Sequence, residues 1–141
     1  MNTNKMILTI EAKSQNESFA RSVVAAFFSQ LNPTIEQIED LKTAVSEAVT
    51  NSIVHGYQGS QQGKIEIKCM IHYEEKFLQV QIVDYGKGIE DVQKAMQPFY
   101  TTVESGERSG MGFTVMQAFC DKVEVASENG CTSVLLQKYL K

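Results

Sequence analysis

Two alternating runs set back to back constrain this chain most. Lys64 to His72 places Ile65, Ile67, Cys69 and Ile71 on one side at strict two-residue spacing, and after the polar turn Tyr73 to Lys76 a second run sets Leu78, Val80 and Ile82 against Phe77, Gln79 and Gln81. A helix would scatter those apolar positions around its circumference, so the pattern predicts two strands joined as a hairpin. Period-two counting carries Asp84 onto the apolar side of the second strand, at the start of Asp84-Tyr85-Gly86-Lys87-Gly88. A carboxylate on a buried face costs free energy unless donors reach it. Asp84 is therefore expected to cap a local turn or to await a ligand's donor, and both readings stand open.

The flanking segments supply what such a hairpin needs to bury its face. Met6, Leu8 and Ile10 alternate with Ile7, Thr9 and Glu11 as a further strand. Ser14 and Glu17 have the spacing of a capping box, and Phe19, Val23, Ala26, Phe27 and Leu31 follow at helical spacing, with Arg21 off that stripe as a solvated charge. Asn32-Pro33-Thr34 breaks this helix, and Thr34 with Gln37 caps a second whose apolar positions are Ile38, Leu41, Val45 and Ala48.

That second helix runs to Gly56 and sets Glu47, Asn51 and His55 at successive i, i+4 steps beside its apolar stripe. The row reads as a site, or as solvated residues with His55 interacting with the helix dipole. Farther on, Glu90 to Met96 suits a short helix, Phe99 to Ser109 a loop, and Ser109-Gly110-Met111-Gly112-Phe113 the start of a helix through Phe119 with Val115 and Met116 facing the core. Glycines at a loop-to-helix junction let backbone amides approach an anion. Lys122 to Ala126 and Thr132 to Tyr139 form a closing hairpin around Glu128-Asn129-Gly130.

The expected fold is an α/β two-layer sandwich, a single domain over residues 1–141, with a mixed, mostly antiparallel sheet covered on one face by helices. A net charge of -4 argues against a general nucleic-acid binder. Cys69, Cys120 and Cys131 are widely spaced and read as reduced packing residues. Neither a signal peptide nor a membrane-spanning run is visible, so a cytoplasmic protein with no membrane partner is expected. The glycines, Asp84 and the polar helix row would share a pocket that suits a nucleotide. An aspartate accepts from an exocyclic amine, helix-start amides take phosphates, and an amide oxygen can ligate magnesium.

Glu47 and Asn51, then Asp84, Gly86 and Gly88, then Gly110 and Gly112 occur in the order and form of the N, G1 and G2 boxes of the gyrase, Hsp90, histidine-kinase and MutL ATPase superfamily, which the chain resembles. Within it, residues 14–21, 46–51 and 107–113 closely resemble the anti-sigma F factors of spore-forming bacteria, which are serine kinases, and the similarity runs over nearly the whole chain. The resemblance implies a Bergerat-type fold with an ATP lid at about 97–110, ATP or ADP as cofactor, and magnesium held by Asn51. It implies that Asp84 reads adenine and that His55, Gly86, Gly88, Thr101, Thr102, Ser109, Gly110, Met111, Gly112, Phe113 and Thr132 belong to the nucleotide site, with Thr101 and Thr102 in the lid. Glu47 would be the general base for a seryl hydroxyl, and Arg108 would meet the γ-phosphate.

Arg21 and Glu107 would contact partners, namely a sporulation sigma factor that is inhibited and an anti-anti-sigma factor that is phosphorylated on serine. A homodimer is implied as well. Where many relatives carry Gly-Thr-Thr this chain has Gly130-Cys131-Thr132, which keeps the position of Thr132. The main alternative is a non-catalytic, ATP-gated sigma-binding module. A detached histidine-kinase ATP-binding domain would require a phosphoacceptor His, whereas His55 lies in the N box and His72 is expected as an exposed strand residue. The 141 residues hold no transducer domain of the gyrase or MutL kind, which sets the expectation against those readings.

Overall fold

The computed structural model describes residues 2–57, 63–86, 112–128 and 130–140, with the backbone alone at 55 and 56. Five strands, β1 (Thr3–Glu11), β2 (Lys64–His72), β3 (Phe77–Asp84), β4 (Lys122–Glu128) and β5 (Cys131–Tyr139), form one sheet in the order β1-β2-β3-β5-β4. All four pairings are antiparallel. Three α-helices, α1 (Gln15–Phe28), α2 (Ile35–Asn51) and α3 (Gly112–Phe119), accompany the sheet, with a 3-10 turn over Ser29–Leu31 after α1 and a π-turn over Ser52–Gly56 after α2. The architecture is thus the α/β two-layer sandwich that the alternation required.

The buried positions follow the expected phase in every strand of the hairpin. Ile65, Ile67 and Ile71 of β2 and Leu78, Val80 and Ile82 of β3 are fully buried, and Leu136 of β5 joins them from the next strand. Helix α2 contributes Leu41, Ala44, Val45, Ala48 and Val49, and α3 contributes Met116 and Phe113. Each large aliphatic side chain removed from water in this layer stabilises the fold by about 1.5–3 kcal/mol. α2 lies against both α1 and α3, so it is the central helix of its layer.

Helix α1 departs from the expectation in two respects. Its buried residues are Ala20, Val24, Ala25 and Phe28, whereas Phe19 is 53% exposed, so the buried stripe is turned by one residue from the one expected. Ser14 makes no side-chain capping bond, because its own backbone is already helical and the Glu17 carboxylate is engaged across the helix pair by Ser46. The second cap forms as expected, with the Thr34 hydroxyl accepting from the Gln37 amide at 3.1 Å and the Gln37 side chain accepting from the Thr34 amide at 2.8 Å. His72 is half-buried rather than exposed, since its ring stacks on Phe77 at 4.2 Å and Phe77 stacks in turn on Tyr139 at 4.5 Å.

Lys138 is the one inward-facing cation of β5, 11% exposed in its side chain. Its Nζ donates to the Phe119 carbonyl at 2.7 Å and lies 3.6 Å from the Asp40 carboxylate. One ammonium thus satisfies a carbonyl at the C-terminus of α3 and ties β5 to α2. Cys69 and Cys120 are free and buried, and burial pushes both thiols up to about 12, which leaves them inert packing groups.

Candidate functional site

The site is built where α2 ends. The α-helix stops at Asn51, and the backbone widens into a π-turn over Ser52–Gly56, closed by the Tyr57 amide donating to the Ser52 carbonyl at 3.0 Å. A π-turn is rare and costs the helix its regular ladder, and it recurs at functional sites. Glu47 and Asn51 lie one i, i+4 step apart within α2, before this turn begins. The side chain of His55 lies outside the described residues.

Ser52 continues the buried stripe of Leu41, Val45 and Ala48 and is 3% exposed. Its hydroxyl bonds to Asp84, which is itself 3% exposed at the end of β3. The Asp84 carboxylate also accepts from the Gly86 amide at 3.2 Å. The acid therefore caps its own turn, as one of the two open readings held. Burial pushes its pKa above the ordinary aspartate value, opposed by the Gly86 amide and then by the Ser52 hydroxyl. A carboxylate has about four lone-pair directions, and two donors reach this one among the described residues. Acceptor capacity is left for a ligand.

Two further elements converge on Asp84. Thr132 of β5, 6% exposed, is its register partner and shares a 2.9 Å hydrogen bond with the Ser127 hydroxyl. Gly130 turns the β4–β5 hairpin with φ +75, where a side chain would be strained. A Cβ at Gly130 would stand 3.5 Å from the Gly86 carbonyl oxygen, which brings that turn against the segment after Asp84.

On the other side, α3 starts against α2. A Cβ at Gly112 would lie 3.3 Å from Asn51 Oδ1, 3.4 Å from Asn51 Nδ2 and 3.4 Å from Glu47 Oε2. The missing side chain keeps open the ground in front of an amide and a carboxylate, directly at a helix N-terminus where the dipole favours an anion. This donor set fits a phosphate with its cation: the Asn51 amide oxygen for a hard metal, helix-start amides for the oxyanion, and the Glu47 carboxylate beside them. Ser52 joins the two halves, since it follows Asn51 in the chain and bonds to Asp84.

Glu47, Asn51, Asp84, Gly86, Gly112 and Thr132 therefore fall in one neighbourhood. Phe113 is 8% exposed and packs in the core below the site. Gly88, Thr101, Thr102, Glu107, Arg108, Ser109, Gly110 and Met111 lie outside the described residues, as does the expected helix at 90–96. Arg21 is not a merely solvated charge. Its Nη1 donates to Ser46 Oγ at 3.2 Å and pairs with Glu17 at 3.4 Å, while Ser46 donates to Glu17 at 2.6 Å. This triad fastens α1 to α2 one residue before Glu47.

Sequence reasoning passed over Ser52, although a polar residue in the phase of Leu41, Val45 and Ala48 was a readable signal. It also passed over Tyr57, whose role depends on the π-turn and on the pairing of distant strands.

A family model described as a histidine kinase-like ATPase domain matches residues 10–138. The anti-sigma F factor of Thermoanaerobacter sp. (strain X514) is 57% identical over 98% of this chain and 95% of its own length. That of Clostridium novyi (strain NT) is 54% identical over 100% of this chain and 98% of its own. Among solved structures, the RsbU and RsbW domains of a Mycobacterium tuberculosis protein superpose with a TM-score of 0.71 at 17% identity, covering 97% of this chain and 32% of that one. The catalytic domain of the histidine kinase ThkA does so with a TM-score of 0.54 at 13% identity, covering 99% of this chain and 97% of that one. These two share the fold. With the family match spanning most of its length and relatives above half identity end to end, the chain belongs to the anti-sigma F factor family and carries its histidine kinase-like ATPase domain.

Proposed function

We propose that this chain is an ATP-dependent anti-sigma factor that binds and inhibits a sporulation sigma factor and phosphorylates a serine of its anti-anti-sigma partner. The observation that carries the reading is Gly112, whose bare Cα faces both Glu47 and Asn51 and so leaves room for phosphates between a helix start and a candidate base. Asp84 and its partner Thr132 support the adenine end, and the names of the relatives support the sigma-factor partner.

In this reading Asp84 accepts the exocyclic amine of adenine, and Asn51 holds magnesium, which neutralises phosphate charge when bound. Glu47 orients the partner's seryl hydroxyl and takes its proton as the oxygen bonds to the γ-phosphorus and the bond to the ADP leaving group breaks. Arg108 stabilises charge on the transferred group. His55, Gly86, Gly88, Ser109, Gly110, Met111 and Thr132 line or support the nucleotide, residues 97–110 with Thr101 and Thr102 form its lid, and Arg21 and Glu107 meet the protein partners. The proposal further holds that the protein works in the cytoplasm as a homodimer, which sedimentation analysis checks.

The test is incubation with labelled ATP, magnesium and the cognate anti-anti-sigma protein, comparing native protein with Glu47→Gln. Native protein labels the partner, and Glu47→Gln binds nucleotide normally but loses transfer by at least 100-fold, the scale of a general base. If native protein binds both ATP and the sigma factor yet never labels the partner, the chain is a nucleotide-gated binding module. Undiminished transfer by Glu47→Gln removes the base assignment.

A further inference from the structure

The β2–β3 register pairs Ile65 with Asp84, so the next rung of the ladder would join Lys64 to Tyr85. That rung is replaced by a side chain. The Tyr57 hydroxyl donates to the Lys64 carbonyl at 2.6 Å and accepts from the Tyr85 amide at 2.8 Å, standing between the two strands as a bridge. A direct rung would draw the backbones together with one bond of about 2.9 Å. The inserted phenol holds them a full oxygen apart, and the strands separate one residue beyond the buried acid. There the chain turns, and the Gly86 amide comes back onto Asp84 Oδ1.

The phenol has a seat made for it. A Cβ at Gly63 would lie 2.2–2.4 Å from the Cε1, Cδ1 and Cζ atoms of the Tyr57 ring, so only glycine leaves space for the ring against β2. The π-turn delivers the ring to that seat, because the same turn begins at Ser52, whose hydroxyl bonds to Asp84, and closes on the Tyr57 amide. The segment 52–57 therefore holds Asp84 twice: Ser52 grips its carboxylate, and Tyr57 fixes the peptide that follows it.

We infer that Tyr57 is a positioning residue for base recognition, setting the angle at which Asp84 and Gly86 are presented and thereby the preference for one purine over another. The inference rests on the nucleotide reading given above. An acceptor carboxylate favours a base whose edge offers an amine donor at one position, and a purine carrying a carbonyl there meets lone pair with lone pair. Discrimination of that kind depends on where the carboxylate points, whereas phosphate binding at Gly112 does not. Tyr57 touches neither part of the ligand in this account; it acts through Tyr85 and Gly86.

The experiment is calorimetric titration of native protein and Tyr57→Phe with ADP and with GDP, each with magnesium, together with thermal melts of the free proteins and amide hydrogen exchange at Tyr85. Native protein prefers ADP, and its Tyr85 amide exchanges more slowly when ADP is bound. Tyr57→Phe binds ADP roughly tenfold more weakly, as expected for one lost hydrogen-bonded bridge, with GDP affinity little changed, so that the ratio narrows. Its Tyr85 amide exchanges faster. Equal losses for both nucleotides, or an unchanged ratio, would show that the phenol only braces the sheet and would overturn the inference. Should the variant melt too low for titration, the native exchange experiment decides, and a Tyr85 amide indifferent to ADP refutes the role. Failure of native protein to bind either nucleotide would instead bring down the nucleotide reading itself.

Discussion

Replacing Gly112 by Ala separates stability from chemistry at a single methyl group. The new Cβ would stand 3.3 Å and 3.4 Å from the Asn51 amide atoms and 3.4 Å from Glu47 Oε2. Those distances are slightly inside comfortable carbon–oxygen contact, so the two side-chain tips must retreat by a few tenths of an ångström. Both are ends of rotatable side chains, and off-rotamer adjustment costs about 0.5–1.5 kcal/mol. Against this, alanine gains up to about 0.5–1 kcal/mol over glycine, a helix-interior figure that is an upper bound at the first residue of α3. The two nearly cancel, and the free protein should melt within about 4 °C of native. Phosphotransfer has no such compensation. A misplacement of about 1 Å can cost a reaction about 100-fold, so a shift of roughly half that at both the proposed metal ligand Asn51 and the proposed base Glu47 should slow transfer about tenfold. The assay is initial-rate labelling of the anti-anti-sigma partner at saturating ATP, paired with differential scanning calorimetry. A folded Gly112→Ala protein that transfers at the native rate would show that Glu47 and Asn51 need not stand where Gly112 leaves them.

Other perturbations probe separate parts of the molecule. Asp84→Asn should abolish detectable adenine-nucleotide binding while raising the melting temperature of the free protein at neutral pH, because it removes a buried charge whose burial is unfavourable. The sign follows from linkage: a folded pKa above the unfolded one gives stability that is full below the unfolded value and lost as pH rises through the folded value. Native protein should thus lose stability across that acidic window and Asp84→Asn should not; parallel pH profiles would contradict the burial argument. Lys138→Met strips the Phe119 carbonyl and Asp40 of their shared partner and should cost about 2 kcal/mol in urea unfolding, with an unchanged midpoint counting against it. Arg21→Ala leaves the Ser46–Glu17 bond in place and, for a part-exposed pair, should cost under about 1 kcal/mol of stability. Its sigma-factor affinity should fall at least tenfold, and native affinity would remove Arg21 from the interface.

Much of the fold was legible because strands announce themselves by alternation and a buried face fixes their phase. Ile65 to Ile71 and Leu78 to Ile82 gave the central hairpin, and the same counting buried Asp84. Thr34 and Gln37 gave the start of α2. The Phe19 stripe misled because α1 is a surface helix of weak amphipathicity, where Ala20 and Ala25 reach the core as effectively as larger neighbours. The Ser14 cap misled because Glu17 had a better partner on another helix. The second helix was expected to run regularly to Gly56, and nothing local in Ser52 to Gly56 signals the π-turn that begins after Asn51. The contact of Gly112 with Glu47 and Asn51 spans more than sixty residues, and only the motif order hinted at it.

The strand order has a consequence for how this protein is assembled. β2 and β3 join through a tight turn, as do β4 and β5, so each hairpin can form quickly from its own neighbours. The sheet becomes whole only when β1 pairs with β2 and β3 zips to β5, both pairings of segments far apart in the chain. Asp84 and Thr132 face each other across the β3–β5 seam, so this end of the candidate site does not exist until a long-range pairing has closed. On the nucleotide reading proposed above, a ligand bound there would hold the seam shut, adding about 2.7 kcal/mol at a ligand concentration 100 times its dissociation constant.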